Sequence, residues 1–424
     1  MQFGRTVRHL STILLLFVAG CNTVPPRSVE QPEPAAPPQQ PTAETEYYDV
    51  HFSAVFSDQR PIARATVQLT QSSRIVRRLN FRAPSGTFTL VKNDGDAVHE
   101  GDRLVWKPPA TGGTLVYDYQ IDQRRSDGYD AKATSTWALL RLGDLFPAAT
   151  ARTRRGAQSR STLDLSGPDG WSFETRYGPV RGKVLSVDDS ERNFKRPTGW
   201  LVGGKIGTRR DFVNGRHIAV SAPVGSGIRR LDTLSFLSWT VPELARAFPS
   251  LPRHILIAGA PDEMWRGGLS APSSLYMHAG RPLISENGTS TLLHELIHLA
   301  GMHSAHDGAD WIVEGVAEYY SLLVLKRSGG ITQDRFDNAL ARLQLWVDSG
   351  NGKLADPSKG VDTAAAVLVL HDLAAELQAQ GAHIDQLTAR LLEAPRISNE
   401  AMLQAAQTLL GRPSKVLATA LDGT

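Results

Sequence analysis

The sequence predicts an α+β protein, with a β-sandwich over residues 46–200, a mixed α/β region over 201–330 and an all-α region over 331–424. Three observations carry that expectation. Residues 46–200 hold short runs of alternating apolar and polar residues, punctuated by Gly, Pro and Asp, the mark of an all-β sandwich. Residues 201–290 mix strand-like runs with one short helical stretch. After residue 290 apolar residues recur at helical spacing.

Composition sets the outer bounds. The chain has 424 residues, which at about 150 residues per domain implies two or three domains. Hydrophobic residues make up 41% and charged residues 21%, ordinary for a globular protein. That excludes a wholly disordered, collagen-like or multi-span membrane chain. Lys and Arg number 46 against 43 Asp and Glu, a net charge of +3, so there is no electrostatic footprint for nucleic acid. Cys21 is the single cysteine. One cysteine excludes an internal disulfide, a cysteine-based zinc knuckle and an iron–sulfur site. Any metal must use His, Asp or Glu.

The N-terminus reads as an address. In residues 1–20, Arg5 and Arg8 precede an apolar run at 13–19. That run is shorter than the ~18 residues a membrane span needs, so it reads as a secretory signal. Val18-Ala19-Gly20-Cys21 resembles the bacterial lipobox. The resemblance implies cleavage before Cys21 and diacylglycerol on its thiol, each buried methylene contributing about 0.8 kcal/mol of membrane affinity. Asn22 follows instead of the Asp that favours inner-membrane retention, so the expected location is the outer membrane facing the periplasm. Residues 21–45 hold seven prolines and no aromatic residue, the composition of an extended tether.

The elements then follow in order. Tyr48-Asp49-Val50-His51-Phe52, Ala65-Thr66-Val67-Gln68-Leu69 and Gly86-Thr87-Phe88-Thr89-Leu90 alternate as half-buried strands do, and Asn93-Asp94-Gly95 marks a turn. Residues 217–220 and 254–257 read as strands. Gly225-Ser226-Gly227 is a glycine pair without the rest of a phosphate loop and reads as a turn. Residues 241–248 predict a short helix with Thr240 as N-cap and Pro242 in its first turn. Residues 362–380 predict a long Ala/Leu-rich helix closed by Gly381.

The chemistry concentrates at 294–318. His294-Glu295-Leu296-Ile297-His298 is an H-E-x-x-H motif. Positions i and i+4 share one helix face, so His294 and His298 can present two imidazoles to one zinc ion. Glu295 leans over the same edge and can reach a water at the metal. Leu292, Leu293, Leu296, Ile297 and Leu299 make this helix apolar. Two histidines and a carboxylate buried on such a helix are costly unless paired, and a metal supplies the pairing. The competing reading is a core helix whose histidines are merely hydrogen-bonded.

A third ligand is needed. Metzincins place Gly and then His after H-E-x-x-H. Here Gly301 fits, but His303 comes one residue early and Ser304 takes the ligand position. Downstream, Trp311-Ile312-Val313-Glu314-Gly315-Val316-Ala317-Glu318-Tyr319-Tyr320 resembles the W-x-x-E-G-x-A-x-Y signature of gluzincin metallopeptidases of the MA clan. The resemblance implies Zn²⁺ as cofactor and Glu314 as third ligand. The linker from His298 is shorter than in typical members, and Glu318 would fit their longer count, so Glu318 stands as the alternative. With Glu314 as ligand, Glu318 suits a supporting role, orienting a ligand histidine.

The sequence also resembles the glycyl-aminopeptidase-like family over residues 46–424. That resemblance implies a β-sandwich, a thermolysin-like catalytic domain and a helical C-terminal domain. Gly267, Gly268, Leu269 and Ser270 resemble its substrate-binding edge strand. Lys359-Gly360 and residues 364–373 resemble its K-G helix, and residues 409–423 the close of its helical domain. Two positions depart. Ser270 stands where related aminopeptidases carry a glutamate that binds the substrate's free amine. Pro357 stands where the family carries a tyrosine that stabilises the oxyanion, and no Tyr occurs after Tyr320. At roughly 100° per residue, Tyr319 and Tyr320 lie about 140° and 240° around the helix from Glu314, so neither is well aimed. His371, His303 and His306 are the remaining donors.

The sequence therefore points to a lipid-anchored zinc metallopeptidase, an endopeptidase rather than an aminopeptidase. Its expected partners are a peptide or protein substrate and the membrane, through the N-terminal lipid, with no nucleic acid. The competing function is a catalytically weak or inactive peptidase-fold lipoprotein acting as a binding or assembly module.

Overall fold

Alternation in the sequence becomes the two faces of sheets. The computed structural model describes residues 45–180, 182–188 and 192–422. The signal segment, Cys21 and nearly all of the proline-rich tether lie outside the described residues. A six-stranded sheet is ordered Leu185–Val187, Gln158–Ser166, Tyr47–Phe56, Ile62–Thr70, Gly112–Gln120, Phe88–Asn93. In Tyr47–Phe56, Tyr48, Val50, Phe52, Ala54 and Phe56 are buried in strict alternation. The strand expected from residue 86 begins at Phe88, because Pro84 O accepts the Thr87 and Phe88 N–H groups and turns the chain there.

A four-stranded sheet and a second six-stranded sheet close over the same core, supplying Leu79, Phe81, Trp106, Leu140, Phe173 and Leu201. The two central strands of the second six-stranded sheet are buried on both faces. Its strands Trp137–Arg141 and Trp200–Gly204 send Leu140 and Leu201 into the sandwich core. Trp137, Leu139, Trp200 and Val202 point the other way, onto Leu256, Ala258 and Tyr276 of the next sheet. Burial on both faces explains the unbroken apolar runs at these strands.

That next sheet has five strands, ordered Ile206–Val213, Arg216–Pro223, His254–Ala260, Ser274–His278, Gly268–Ala271. Its middle three run parallel and its two edges antiparallel. The helix Arg230–Ala247 links two of the parallel strands and is far longer than the helix expected at 241–248. Thr240 is not its N-cap: the Thr240 hydroxyl donates to Phe236 O at 2.9 Å inside the helix. Leu234, Phe236, Leu237, Val241 and Leu244 form one continuous buried face, and burying it outweighs the N–H that Pro242 lacks. Ser238, whose carbonyl loses that partner, is exposed and open to water.

From Thr291 onward the described residues are predominantly helical, running Thr291–Leu299, Asp310–Arg327, Gln333–Gly350, Val361–Gln378, Ile384–Glu393, Asn399–Leu410 and Lys415–Asp422. They share one core with the sheet through residues such as Ile257, Leu293, Val316 and Leu370. The α+β class and the helical C-terminal region thus hold. Gly381, at φ +75°, follows the helix Val361–Gln378 as expected. No helix of the described residues is long and apolar enough to cross a membrane.

One carboxylate fastens the last helix. Glu376 accepts hydrogen bonds from Arg412 Nη1 (2.7 Å), the Ser414 hydroxyl and the Lys415 N–H (3.1 Å). Burial pushes its pKa up, but these donors outweigh burial and hold it down at about 2. A folded pKa below the unfolded one stabilises the fold above about 4.5, and that contribution fades as pH falls towards 2. Glu376→Gln should therefore cost about 2 kcal/mol in urea unfolding at pH 7, with the difference shrinking below pH 4.

Candidate metal centre

The H-E-x-x-H residues do form a helix, Thr291–Leu299. Ser290 caps it, its hydroxyl accepting the Leu293 N–H at 3.4 Å. Leu292, Leu293, Leu296 and Ile297 are buried in the core. That leaves His294 and His298 on the face towards the helix Asp310–Arg327, which carries Glu314 and Glu318. This second helix is pinned at its start, where Trp311 Nε1 donates to Asn399 Oδ1 at 2.9 Å. Gly315 lets it press against the helix Val361–Gln378: a Cβ there would meet Ala366 Cβ at 2.7 Å.

The side chains converge on one point. His294 Nε2 lies 3.0 Å from His298 Nε2 and 3.3 Å from Glu314 Oε2. His298 Nε2 lies 3.6 Å from Glu314 Oε1. The opposite nitrogens are tied off. His294 Nδ1 contacts Glu318 Oε2 at 3.0 Å, and His298 Nδ1 contacts the Met302 carbonyl. The turn that swings Met302 back needs Gly301, whose φ is +113°. With Nδ1 protonated on both rings, each Nε2 offers a lone pair to the shared point.

That donor set fits a zinc ion. A tetrahedral ion with bonds of about 2.1 Å separates its ligand atoms by about 3.4 Å; here the two Nε2 atoms are 3.0 Å apart and the two Glu314 oxygens lie 3.3 and 3.6 Å from one ring each, with one atom of each residue within 4.8 Å of the others. Three protein donors leave a fourth position open, as in catalytic rather than structural sites. Glu318 touches only the outer nitrogen of His294, so Glu314 and not Glu318 sits among the converging donors.

Charge is under tension in the metal-free site. Burial pushes the His294 pKa down, but its hydrogen bonds to the Glu314 and Glu318 carboxylates reverse this and raise it to about 10. Burial and the neighbouring His294 charge depress His298 to about 4. Burial would raise Glu314, but contact with the two histidines carries it below its ordinary value. Glu295 is only 7% exposed. Burial, against the pull of His294, raises its pKa to about 7, and hydrogen bonding from the Ser270 N–H and hydroxyl moderates the rise. The edge strand Gly268–Ala271 thus lies against Glu295, so close that a Cβ on Gly268 would meet Glu295 Cγ at 2.8 Å. Leu269 O accepts Trp200 Nε1 at 2.9 Å, while Gly267 lies just before this strand and donates its N–H to Trp265 O.

The residues weighed as oxyanion donors separate clearly. The Tyr320 hydroxyl donates to Asp385 Oδ1 at 2.7 Å within the helical core. His371 packs between Tyr319 and Phe336 and lines a different cavity, so it is not a substitute donor. The His306 N–H donates to Ile397 O. His303 does line the cleft beside His298 and Ser270. After Pro357, the Ser358 N–H donates to Asp310 Oδ2 at 2.8 Å, tying the Lys359-Gly360 turn to the Glu314 helix. The Met302 carbonyl and Trp200 were missed, because a backbone acceptor and a distant indole leave no mark at the motif.

No family model and no curated protein matches the chain. Solved structures do. An aminopeptidase N family protein from Idiomarina loihiensis superposes with TM-score 0.63 at 12% identity, covering 88% of this chain and 73% of that one. A point mutant of an M1 zinc metallopeptidase from Deinococcus radiodurans gives TM-score 0.57 at 17% identity, covering 89% and 92%. An M1 zinc metallopeptidase from the same organism without that mutation gives 0.53 at 17%, covering 89% and 93%. The chain has the fold of the M1 zinc metallopeptidases. At these identities the likeness concerns the path of the chain, and the chemistry rests on its own residues.

Glu295 has a stability signature. Its folded pKa of about 7 exceeds the ordinary 4.5, so ionising it costs stability from pH 4.5 upward, levelling off above 7. In metal-free protein, Glu295→Gln should stabilise the fold by about 2 kcal/mol at pH 8 and by almost nothing at pH 4, read by thermal unfolding with a chelator present.

Proposed function

We propose that this protein is a zinc-dependent metallopeptidase that hydrolyses peptide bonds within chains. The observation that carries the reading is the convergence of His294 Nε2, His298 Nε2 and Glu314 beside the buried Glu295. In this reading His294, His298 and Glu314 hold the zinc, and Glu318 fixes the His294 ring. When bound, the zinc lowers the pKa of a water towards about 7 and polarises the scissile carbonyl. Glu295 accepts the proton of the attacking water and passes it to the leaving amine.

Ser270 supports cleavage within chains. It supplies a neutral hydroxyl where amine recognition needs a carboxylate, and that hydroxyl faces Glu295. His303, at the cleft beside His298, takes the oxyanion role left open by Pro357. Such a donor contributes roughly 10²–10³ in turnover. The finer resemblance to the glycyl-aminopeptidase-like family rests on residues 267–270 and 359–360. On the Cys21 lipobox we further propose a lipid-anchored protein of the outer membrane, facing the periplasm.

The zinc-loaded protein should cut internal bonds of N-terminally blocked peptides, with cut sites read by mass spectrometry. Glu295→Gln should lower kcat by at least about 10³ while keeping one zinc per chain; full activity in that variant would overturn the proposal. Cys21→Ser should move the protein from the membrane fraction to the soluble periplasm, and unchanged membrane retention would remove the anchor.

A further inference from the structure

The cleft in front of His298 and Ser270 has a volume of about 890 Å³ and continues along Ala271, Pro272 and Ser273. Its far wall comes from the sandwich part of the fold and includes Arg176, Lys195 and Thr198. The Arg176 side chain and the Lys195 backbone are held in place. Arg176 Nη1 donates to the Thr198 hydroxyl at 2.9 Å, and its guanidinium lies 4.9 Å from the centre of the Tyr177 ring. The peptide groups of Lys195 are clamped by two buried serines: its N–H donates to Ser159 Oγ at 2.8 Å, and its carbonyl accepts the Ser161 hydroxyl at 2.7 Å.

Neither Arg176 nor Lys195 has a carboxylate partner among the described residues. Asp188 and Arg192 also line the cleft and offset each other in charge. Among the described residues the cleft thus carries Arg176, Arg192 and Lys195 against one carboxylate, Asp188, and is net positive. The stem of Arg176 runs beside the turn that closes the hairpin: a Cβ on Gly199 would meet Arg176 Cδ at 2.8 Å and Pro272 O at 2.9 Å.

The strand Gly268–Ala271 is a sheet edge, paired only with Ser274–His278. Such an edge accepts an extended peptide as an added strand. A peptide paired there advances in step with the strand, at about 3.3 Å per residue. With the scissile bond at Glu295, residues two or three removed from it lie abreast of the Pro272-Ser273 turn, beside Arg176, with Lys195 lining the same cleft.

We propose that this wall selects peptides carrying a carboxylate two or three residues from the scissile bond, on the side towards the hairpin turn at Pro272. The proposal rests on the peptidase reading, since it takes the cleft as the substrate channel. The carboxylate is that of an Asp or Glu side chain, because the position of Ser270 makes this the side towards the peptide's N-terminus.

The test is fluorescence anisotropy on the full, zinc-loaded chain carrying Glu295→Gln, which holds peptide without turnover. The probes are a labelled dodecapeptide with one Glu, its Gln twin, and the C-terminally amidated form of each. An acidic peptide should bind about tenfold more tightly than its neutral twin at low salt, the size expected of two partly exposed ion pairs. In 0.5 M NaCl that preference should fall to about twofold or less. It should vanish in Arg176→Gln/Lys195→Gln and survive in the charge-keeping Arg176→Lys/Lys195→Arg. Loss of the preference on Glu-to-Gln exchange bears the proposal out, and a preference that is lost only on amidation overturns it. Equal binding of all four peptides, or a preference unchanged in the charge-removed variant, overturns the proposal. If the chain with Glu295 intact cuts none of the peptides while the preference persists, the peptidase reading falls and the anionic selectivity of the wall stands.

Discussion

Two imidazoles and three carboxylates share the space between two helices, and the surrounding structure is arranged to tolerate that concentration of charge. His294 and His298 come from one helix, Glu314 and Glu318 from the other, and Glu295 closes the group from the side of the edge strand. In a low-dielectric interior each ion is expensive unless it has a partner. The partners are therefore close, and the backbone approaches closely to provide them. Gly315 admits the neighbouring helix, Gly268 admits the edge strand and Gly301 allows the turn that brings the Met302 carbonyl to His298. A side chain at any of these positions would disturb the site without touching a ligand atom.

The sandwich takes part in this arrangement through a sheet whose two central strands are buried on both faces. Trp200 sits on that sheet with its side chain towards the five-stranded sheet. Its N–H donates to Ser274 Oγ at 2.7 Å and its indole to Leu269 O at 2.9 Å. Both acceptors belong to the hairpin whose outer strand lies against Glu295. The edge strand, which would otherwise present unpaired backbone groups on a free margin, is thereby fixed from behind. The same part of the fold supplies Arg176, Lys195 and Thr198 to the cleft. The N-terminal strands thus form one wall of the site and also set the position of another.

Much of this was legible in the sequence, and what was not has a physical cause. H-E-x-x-H and the Glu314 signature are local patterns. Helical spacing alone puts each pair of side chains on one face, so the meeting of His294, His298 and Glu314 needed only the packing of two helices. The choice of Glu314 over Glu318 followed from the neighbours of each residue on the helix, whereas counting linker residues pointed the other way. The strands at 48–52 and 65–69 were legible because one face of each is buried. The helix start at Arg230 was hidden because Pro242 and Thr240 imitate an N-terminus. The burial of Leu234, Phe236 and Leu237 against the sheet overrides that local signal. The cationic wall was hidden for a different reason. Arg176 and Lys195 stand some hundred residues before the motif, and only the tertiary fold brings them to the cleft.

The end of the cleft beyond Ser270 is consistent in its charge. An aminopeptidase must bind a protonated amine next to the scissile bond, and that ammonium needs a carboxylate within reach. Ser270 offers none, and Glu295 is held by the Ser270 N–H and hydroxyl for its own chemistry. Further along, where a longer peptide would pass, the wall presents Arg176 and Lys195. Like charges in a partly desolvated cleft repel, so a free N-terminus is disfavoured there twice, by the missing carboxylate and by the cations present. A chain that continues past Ser270 avoids both costs: its amide is neutral at Ser270, and any carboxylate it carries beyond that point finds a partner. Ser270 taken alone marks only a lost recognition group. Taken with Arg176 and Lys195, it supports the proposed cleavage within chains.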